Sequence, residues 1–157
     1  MFFLNFILTG SFPTDFSNTI NQLLNSTSAK LCTSPQKNNG KNVWVLSHPR
    51  FSFVRPMFDA ALLCSHDKLA VRLACKFAVP SLTCGFSTHD TVTLSSITPD
   101  SAVVCLQRSF TTLDGTVCEP FELPIKLSGR FSNDHLLLLC ACAIICSQSS
   151  QLNNIIF

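Results

Sequence analysis

The sequence predicts an α+β fold: one central amphipathic helix over about residues 57–79, with short antiparallel strands within about 43–54 and 91–127. Three observations carry this expectation. Met57 to Val79, MFDAALLCSHDKLAVRLACKFAV, lies between Pro56 and Pro80 and carries a polar stripe at helical spacing. The stretch from Thr91 to Leu127 has a strand-like texture broken by turn-forming clusters. Within it, Asp114-Gly115 is a tight hairpin signal. Only 13% of residues are charged, against about a quarter in a typical soluble domain. Partial disorder, or no stable fold, is therefore part of the same expectation.

At 157 residues the chain is at most a single domain, 1–157, long enough to bury a core. Residues 1–13, MFFLNFILTGSFP, are apolar and weakly signal-like. Asn5 breaks the apolar core Phe2–Leu8, and no positive charge precedes it. Ile20, Leu23 and Leu24 fit a brief helix begun by Ser17 or Asn18. Asn25-Ser26-Thr27 is a glycosylation sequon, with meaning in a secreted chain, which makes Asn25 a candidate modification site. Residues 34–42, SPQKNNGKN, read as a loop or linker. Val43–Leu46 and Phe51–Val54 read as short strands on either side of His48-Pro49.

In the central helix, Ser65, Lys68, Arg72 and Lys76 fall inside an arc of roughly 80° when residues are stepped at 100°. Leu62, Leu63, Leu69, Val71, Leu73 and Phe77 fill most of the remaining circumference. Asp59 suits the positive end of the helix dipole, and Arg72 and Lys76 the negative end. Pro80 ends the helix, because the residue before a proline is pushed out of the α region. A basic amphipathic helix lying on a membrane has the same signature. Further on, Thr91–Ile97, Ala102–Leu113, Thr116–Leu123 and Ile125–Leu127 are strand candidates. Pro120 and Pro124 confine the later ones to a sheet edge.

The tail contains HLLLLCACAIIC, with an uninterrupted apolar segment at 136–146. Eleven helical residues span roughly 16 Å, about half of a bilayer's hydrocarbon core. Cys140, Cys142 and Cys146 are thus candidates for lipidation or membrane contact.

The formal charge is +2, unevenly placed. Residues 1–80 carry net +5 and residues 81–157 net −3. Five basic residues without an acid lie between Phe16 and Phe58. That density is too sparse for a nucleic-acid surface, so nucleic acid is not an expected partner. The membrane is the one partner the composition suggests.

No phosphate loop, dinucleotide fingerprint, H-E-x-x-H or EF-hand loop is present. His135, Cys140, Cys142 and Cys146 do not converge as a metal site on either a helix or a strand. Cys64 and His66 diverge on a helix, and Ser87, His89 and Asp90 lack the glycines of a nucleophile elbow. No catalytic residue, cofactor or metal is assigned, and the chain is not read as an enzyme. Nine cysteines, no Tyr and two Glu suit a dubious or recently arisen reading frame. An antisense overlap would remove Tyr codons and most stop codons together. The leading expectation is no specific biochemical activity. A membrane-associated interaction protein held by the tail is the alternative, and a thiol-based metal or redox protein the weaker one.

Overall fold

The computed structural model describes residues 3–24, 28–37, 40–50 and 57–157. The elements begin with β1 (Leu4–Gly10), α1 (Thr14–Leu24), β2 (Ala29–Cys32), β3 (Lys41–Ser47), β4 (Ala60–Cys64), α2 (Lys68–Lys76) and β5 (Ser81–Cys84). They continue with β6 (Val92–Ser95), β7 (Ser101–Leu106), β8 (Phe110–Thr111), β9 (Val117–Cys118), β10 (Phe121–Lys126) and α3 (Asn133–Ile145). A 3-10 turn, Ser149–Asn154, follows. Eight strands form one sheet in the order β10-β7-β6-β5-β4-β3-β1-β2. Pairing is parallel from β2 through β6 and antiparallel at β6–β7 and β7–β10.

This is an α/β fold with helices on both faces, and it corrects the α+β expectation. Residues 57–79 are not one helix. Ala60–Cys64 is an inner strand, and only Lys68–Lys76 is helical. The strand 43–46 lies inside β3, which pairs in parallel with β1 and β4, not in an antiparallel sheet. Phe51–Val54, Pro56 and Asn25 lie outside the described residues. Within 91–127, β7 runs antiparallel to both β6 and β10, but these strands extend a parallel sheet instead of forming a separate antiparallel one, and the Ala102–Leu113 strand is split between β7 and β8. Asp114-Gly115 does turn a hairpin, β8–β9, although each arm is only two residues long.

Burial on both faces explains the parallel core. A parallel sheet is covered by helices on each side, so its strands read as continuous apolar runs. In β3 and β4, alternate residues then face opposite layers. Val43, Val45, Leu62 and Cys64 belong to the core beneath α1 and α3. Trp44, Leu46, Ala61 and Leu63 pack with Ala70, Leu73 and Ala74 of α2. The apolar half of the signal-like N-terminus is strand β1, hydrogen-bonded on both sides. Asn5, which interrupts that apolar run, is buried and hydrogen-bonds to Asn42 across β1 and β3. Lys41 and Asn42, from the 34–42 segment, open β3.

Helix α2 starts at Lys68 because Asp67 caps it. The Asp67 carboxylate accepts from the Ala70 amide at 3.1 Å and from the His48 amide at 2.6 Å. One carboxylate thereby fixes both the helix start and the exit of β3. Asp67→Ala is expected to cost about 1–2 kcal/mol, the weight of a strong N-cap. Urea unfolding with an unchanged m-value would check it.

Helix α3 has no polar face over Leu136–Ile145, and all ten residues are buried. A helix that is apolar all round is a core helix or a membrane span. Here it crosses β3 to β6, with α1, the 3-10 turn and the β8–β9 hairpin covering its other sides. Its start is capped by Ser132, whose hydroxyl accepts from the His135 amide at 3.3 Å. No helix of the described residues is long and apolar enough to cross a membrane.

Candidate functional site: the crevice at the carboxyl ends of the strands

Open α/β sheets take ligands outside the carboxyl ends of their strands, where the strand order reverses. Here that point lies between β1 and β3. From β1 the chain runs through α1 to β2 on one side, then returns to place β3 on the other. The residues that meet there are Gly10 at the end of β1 and Ser11 after it, Ser47 at the end of β3 and His48 after it, and His135 in the first turn of α3.

Gly10 is fixed by close approach. Its φ is +118°, and a Cβ at this position would lie 1.8 Å from the Ser47 carbonyl oxygen. The next amide, Ser11 N–H, donates to that same carbonyl at 2.7 Å. The turn between β1 and α1, Gly10-Ser11-Phe12-Pro13, sits where phosphate loops occur. It has one glycine and no lysine, against the G-x-x-x-x-G-K-[ST] such loops need. Pro13 contributes no N–H, and the Ser11 N–H is already engaged.

His135, half-buried, reaches across the crevice to both strand ends. Its Nδ1 lies 2.9 Å from the Ser132 hydroxyl, and its Nε2 lies 3.0 Å from the Ser11 carbonyl oxygen and 3.2 Å from Ser47 Oγ. A carbonyl only accepts, so the neutral ring carries its proton on Nε2 and accepts at Nδ1 from Ser132. Phe12 and Phe16 pack against the imidazole, each with ring centroids 5.8 Å away. Phe131 meets Phe16 edge-on at 6.4 Å. The rim is tied by His66 Nε2 to Asp134 Oδ2 at 2.9 Å, between the β4–α2 turn and α3.

Ser47 Oγ lies 3.2 Å from His135 Nε2 and 3.4 Å from His48 Nδ1, which resembles half of a hydrolytic dyad, but His135 offers the serine no free lone pair. A general base must present a free lone pair to the hydroxyl. The nitrogen facing Ser47 carries the proton it gives to Ser11, and Ser47 is itself buried.

The cysteines named from sequence lie away from this crevice. Cys140 and Cys142 are at 0% exposure inside α3, and Cys146 is half-buried at its end. A lipid would reach Cys140 or Cys142 only if α3 left the core. Cys64 and Cys84 face each other across β4 and β5, and their thiols point to carbonyls of α3 at Asp134 and Leu137. Burial, reinforced by the Asp134 and Asp67 carboxylates, pushes the Cys64 thiol up to about 12. Burial raises Cys140 and Cys146 to about 12 as well, and Cys84 and Cys142 well above the ordinary range. A reactive thiol needs a shift in the opposite direction. Among the described residues, no group of three His, Cys, Asp or Glu is placed to hold a metal.

These thiols give the fold a pH dependence. Below about pH 9 folded and unfolded thiols both keep their protons, and the stability is whole. Between about pH 9 and 12 the unfolded thiols ionise while the buried ones do not, so stability falls as pH rises. Urea midpoints are expected to drop across that window, and less steeply in Cys140→Ala.

No protein-family model matches the chain, and no curated protein matches it. Solved structures do. A crystal structure of MurF from Acinetobacter baumannii aligns with 97% of this chain at a TM-score of 0.52 and 9% identity. A structure of UDP-N-acetylmuramoylalanyl-D-glutamyl-2,6-diaminopimelate--D-alanyl-D-alanyl ligase from the same organism aligns with 97% at 0.51, again with 9% identity. At that identity the likeness is one of fold alone. The chain spans 43–44% of those proteins' length.

Proposed function

We propose that this chain is a non-catalytic α/β module, built on a ligand-binding sheet whose switch-point crevice is closed by its own side chains. The supporting observation is His135, seated between Ser11 and Ser47 with its Nε2 proton committed to a backbone carbonyl. The β1–α1 turn adds to it, having neither the second glycine nor the lysine of a phosphate loop. One structural neighbour is a ligase by name; this chain covers under half of it and lacks those groups.

An unselected reading frame is the finer reading that composition suggested, and three features weigh against it. Among the described residues, no buried side-chain nitrogen or oxygen lacks a hydrogen-bond partner. Asp67 and Ser132 each cap a helix. Gly10 and Gly85 stand where a Cβ would collide, with the Ser47 carbonyl and the Asp90 carboxylate respectively. Unselected sequence rarely satisfies all three at once. A membrane anchor in the tail finds no support in the folded chain, which spends the same apolar surface on its core.

Thermal unfolding with Mg-ATP and with UDP at about 1 mM tests the reading. A nucleotide bound at about 10 µM would then stabilise the fold by about 2.7 kcal/mol and raise the melting temperature by several degrees. The proposal expects no shift from either nucleotide, and a rise of that size would overturn it.

A further inference from the structure

A second concave feature lies outside the crevice, between the exit of β3 and the outer face of α2, with a volume of about 330 Å³. Pro49, Leu69 and Leu73 give it an apolar surface. Arg50, Arg72 and Lys76 surround that surface together with His48, and among the described residues no acidic side chain lines it. The helix supplies its share at positions 69, 72, 73 and 76, which fall on one face at three- and four-residue spacing. These include two members of the basic stripe that the sequence presents.

The two arginines are uncommitted: the ion pairs of the described residues are Lys41–Asp59 and His66–Asp134. Lys76 leans over the Phe77 ring, with its Nζ 5.5 Å from the centroid. Leu69 is a large apolar side chain left 46% exposed among these cations. Guanidinium groups match the oxygens of carboxylates and phosphates two at a time. An apolar surface ringed by such donors recognises a ligand with both characters. The volume stands at the small end of ligand pockets, which begin near 300 Å³.

We propose that this groove binds a small organic oxyanion with an apolar body, such as an aryl or alkyl phosphate or carboxylate. Apart from His48, which borders both, the groove is built from residues other than those of the crevice, so it does not depend on the closure by His135.

Amide chemical-shift titration and calorimetry with 1-naphthyl phosphate and 1-naphthoate test it. Saturable shifts are expected at Leu69, Arg72, Leu73 and Lys76, and the stronger of the two probes identifies the preferred head group. Inorganic phosphate and neutral 1-naphthol should each bind at least roughly tenfold more weakly than the better probe, since each lacks half of the recognition. Arg72→Gln and Lys76→Gln should each weaken binding roughly five- to tenfold, with melting temperatures unchanged because both side chains are exposed. Leu69→Ser should weaken naphthyl phosphate but not inorganic phosphate. Absence of saturation at millimolar probe, shifts that map elsewhere, or full affinity in the folded Arg72→Gln and Lys76→Gln variants would each overturn the proposal. So would binding of 1-naphthol as tight as that of its phosphate.

Discussion

Gly10→Ala is expected to destabilise the chain by about 3 kcal/mol or more, well above the typical cost of a point substitution. Two effects act together. A positive φ costs an alanine about 1–2 kcal/mol. The new methyl would also stand 1.8 Å from the Ser47 carbonyl oxygen, a backbone atom that cannot swing aside. Relief requires β1 and β3 to separate at their ends. That breaks the Ser11–Ser47 hydrogen bond and removes the floor beneath His135. Gly115→Ala is the control. Gly115 also has a positive φ, but nothing lies within 4 Å of the added Cβ, so only the backbone strain remains. Chemical denaturation of both variants separates close approach from conformational preference.

Leu138→Ala is expected to cost about 2–5 kcal/mol, the range for truncating a fully buried leucine. Leu138 is at 0% exposure in the middle of α3, where the sheet and α1 leave little room for collapse. Native domains are stable by only about 5–15 kcal/mol, so this single change would consume a large part of the total. A lipid-facing leucine would behave otherwise, because an alanine in the bilayer leaves no cavity. A variant that melts like the parent would remove α3 from the core.

The elements that sequence reasoning placed well are those with local chemistry. The Asp114-Gly115 hairpin and strand β6 were legible from turn residues and strand patterning, whereas Ala102–Leu113, read as one strand, is divided between β7 and β8, and β10 runs through Pro124, where the reading broke it. The split of residues 57–79 was not. Ala60-Ala61-Leu62-Leu63-Cys64 is a short apolar run that fits a buried helix and a buried parallel strand equally. Burial on both faces erased the alternation that would have distinguished them. The signal that decides is Asp67, an N-cap in the middle of the supposed helix. In the tail, eleven apolar residues are as compatible with a core helix as with a membrane, and only the sheet behind them resolves the choice. The crevice left little trace in the sequence. Ser11, Ser47 and His135 are far apart along the chain, and topology alone brings them together. Gly10 followed by Pro13 after an apolar run was the one local clue, and it reads as a strand end only once Asn5 is understood as a buried sheet residue paired with Asn42.

Native-state hydrogen exchange across residues 133–145, read by mass spectrometry in buffer without detergent, tests the central claim most directly. A core helix beneath a covered sheet exchanges only when the whole domain opens. Peptides from Leu136 to Ile145 are therefore predicted to be among the slowest in the chain, with protection that falls in step with global stability in Leu138→Ala. Rapid exchange of this segment, or protection that appears only when lipid or detergent is added, would contradict the account. The tail would then be a membrane segment or an unfolded one, and the closed crevice would lose the histidine that closes it.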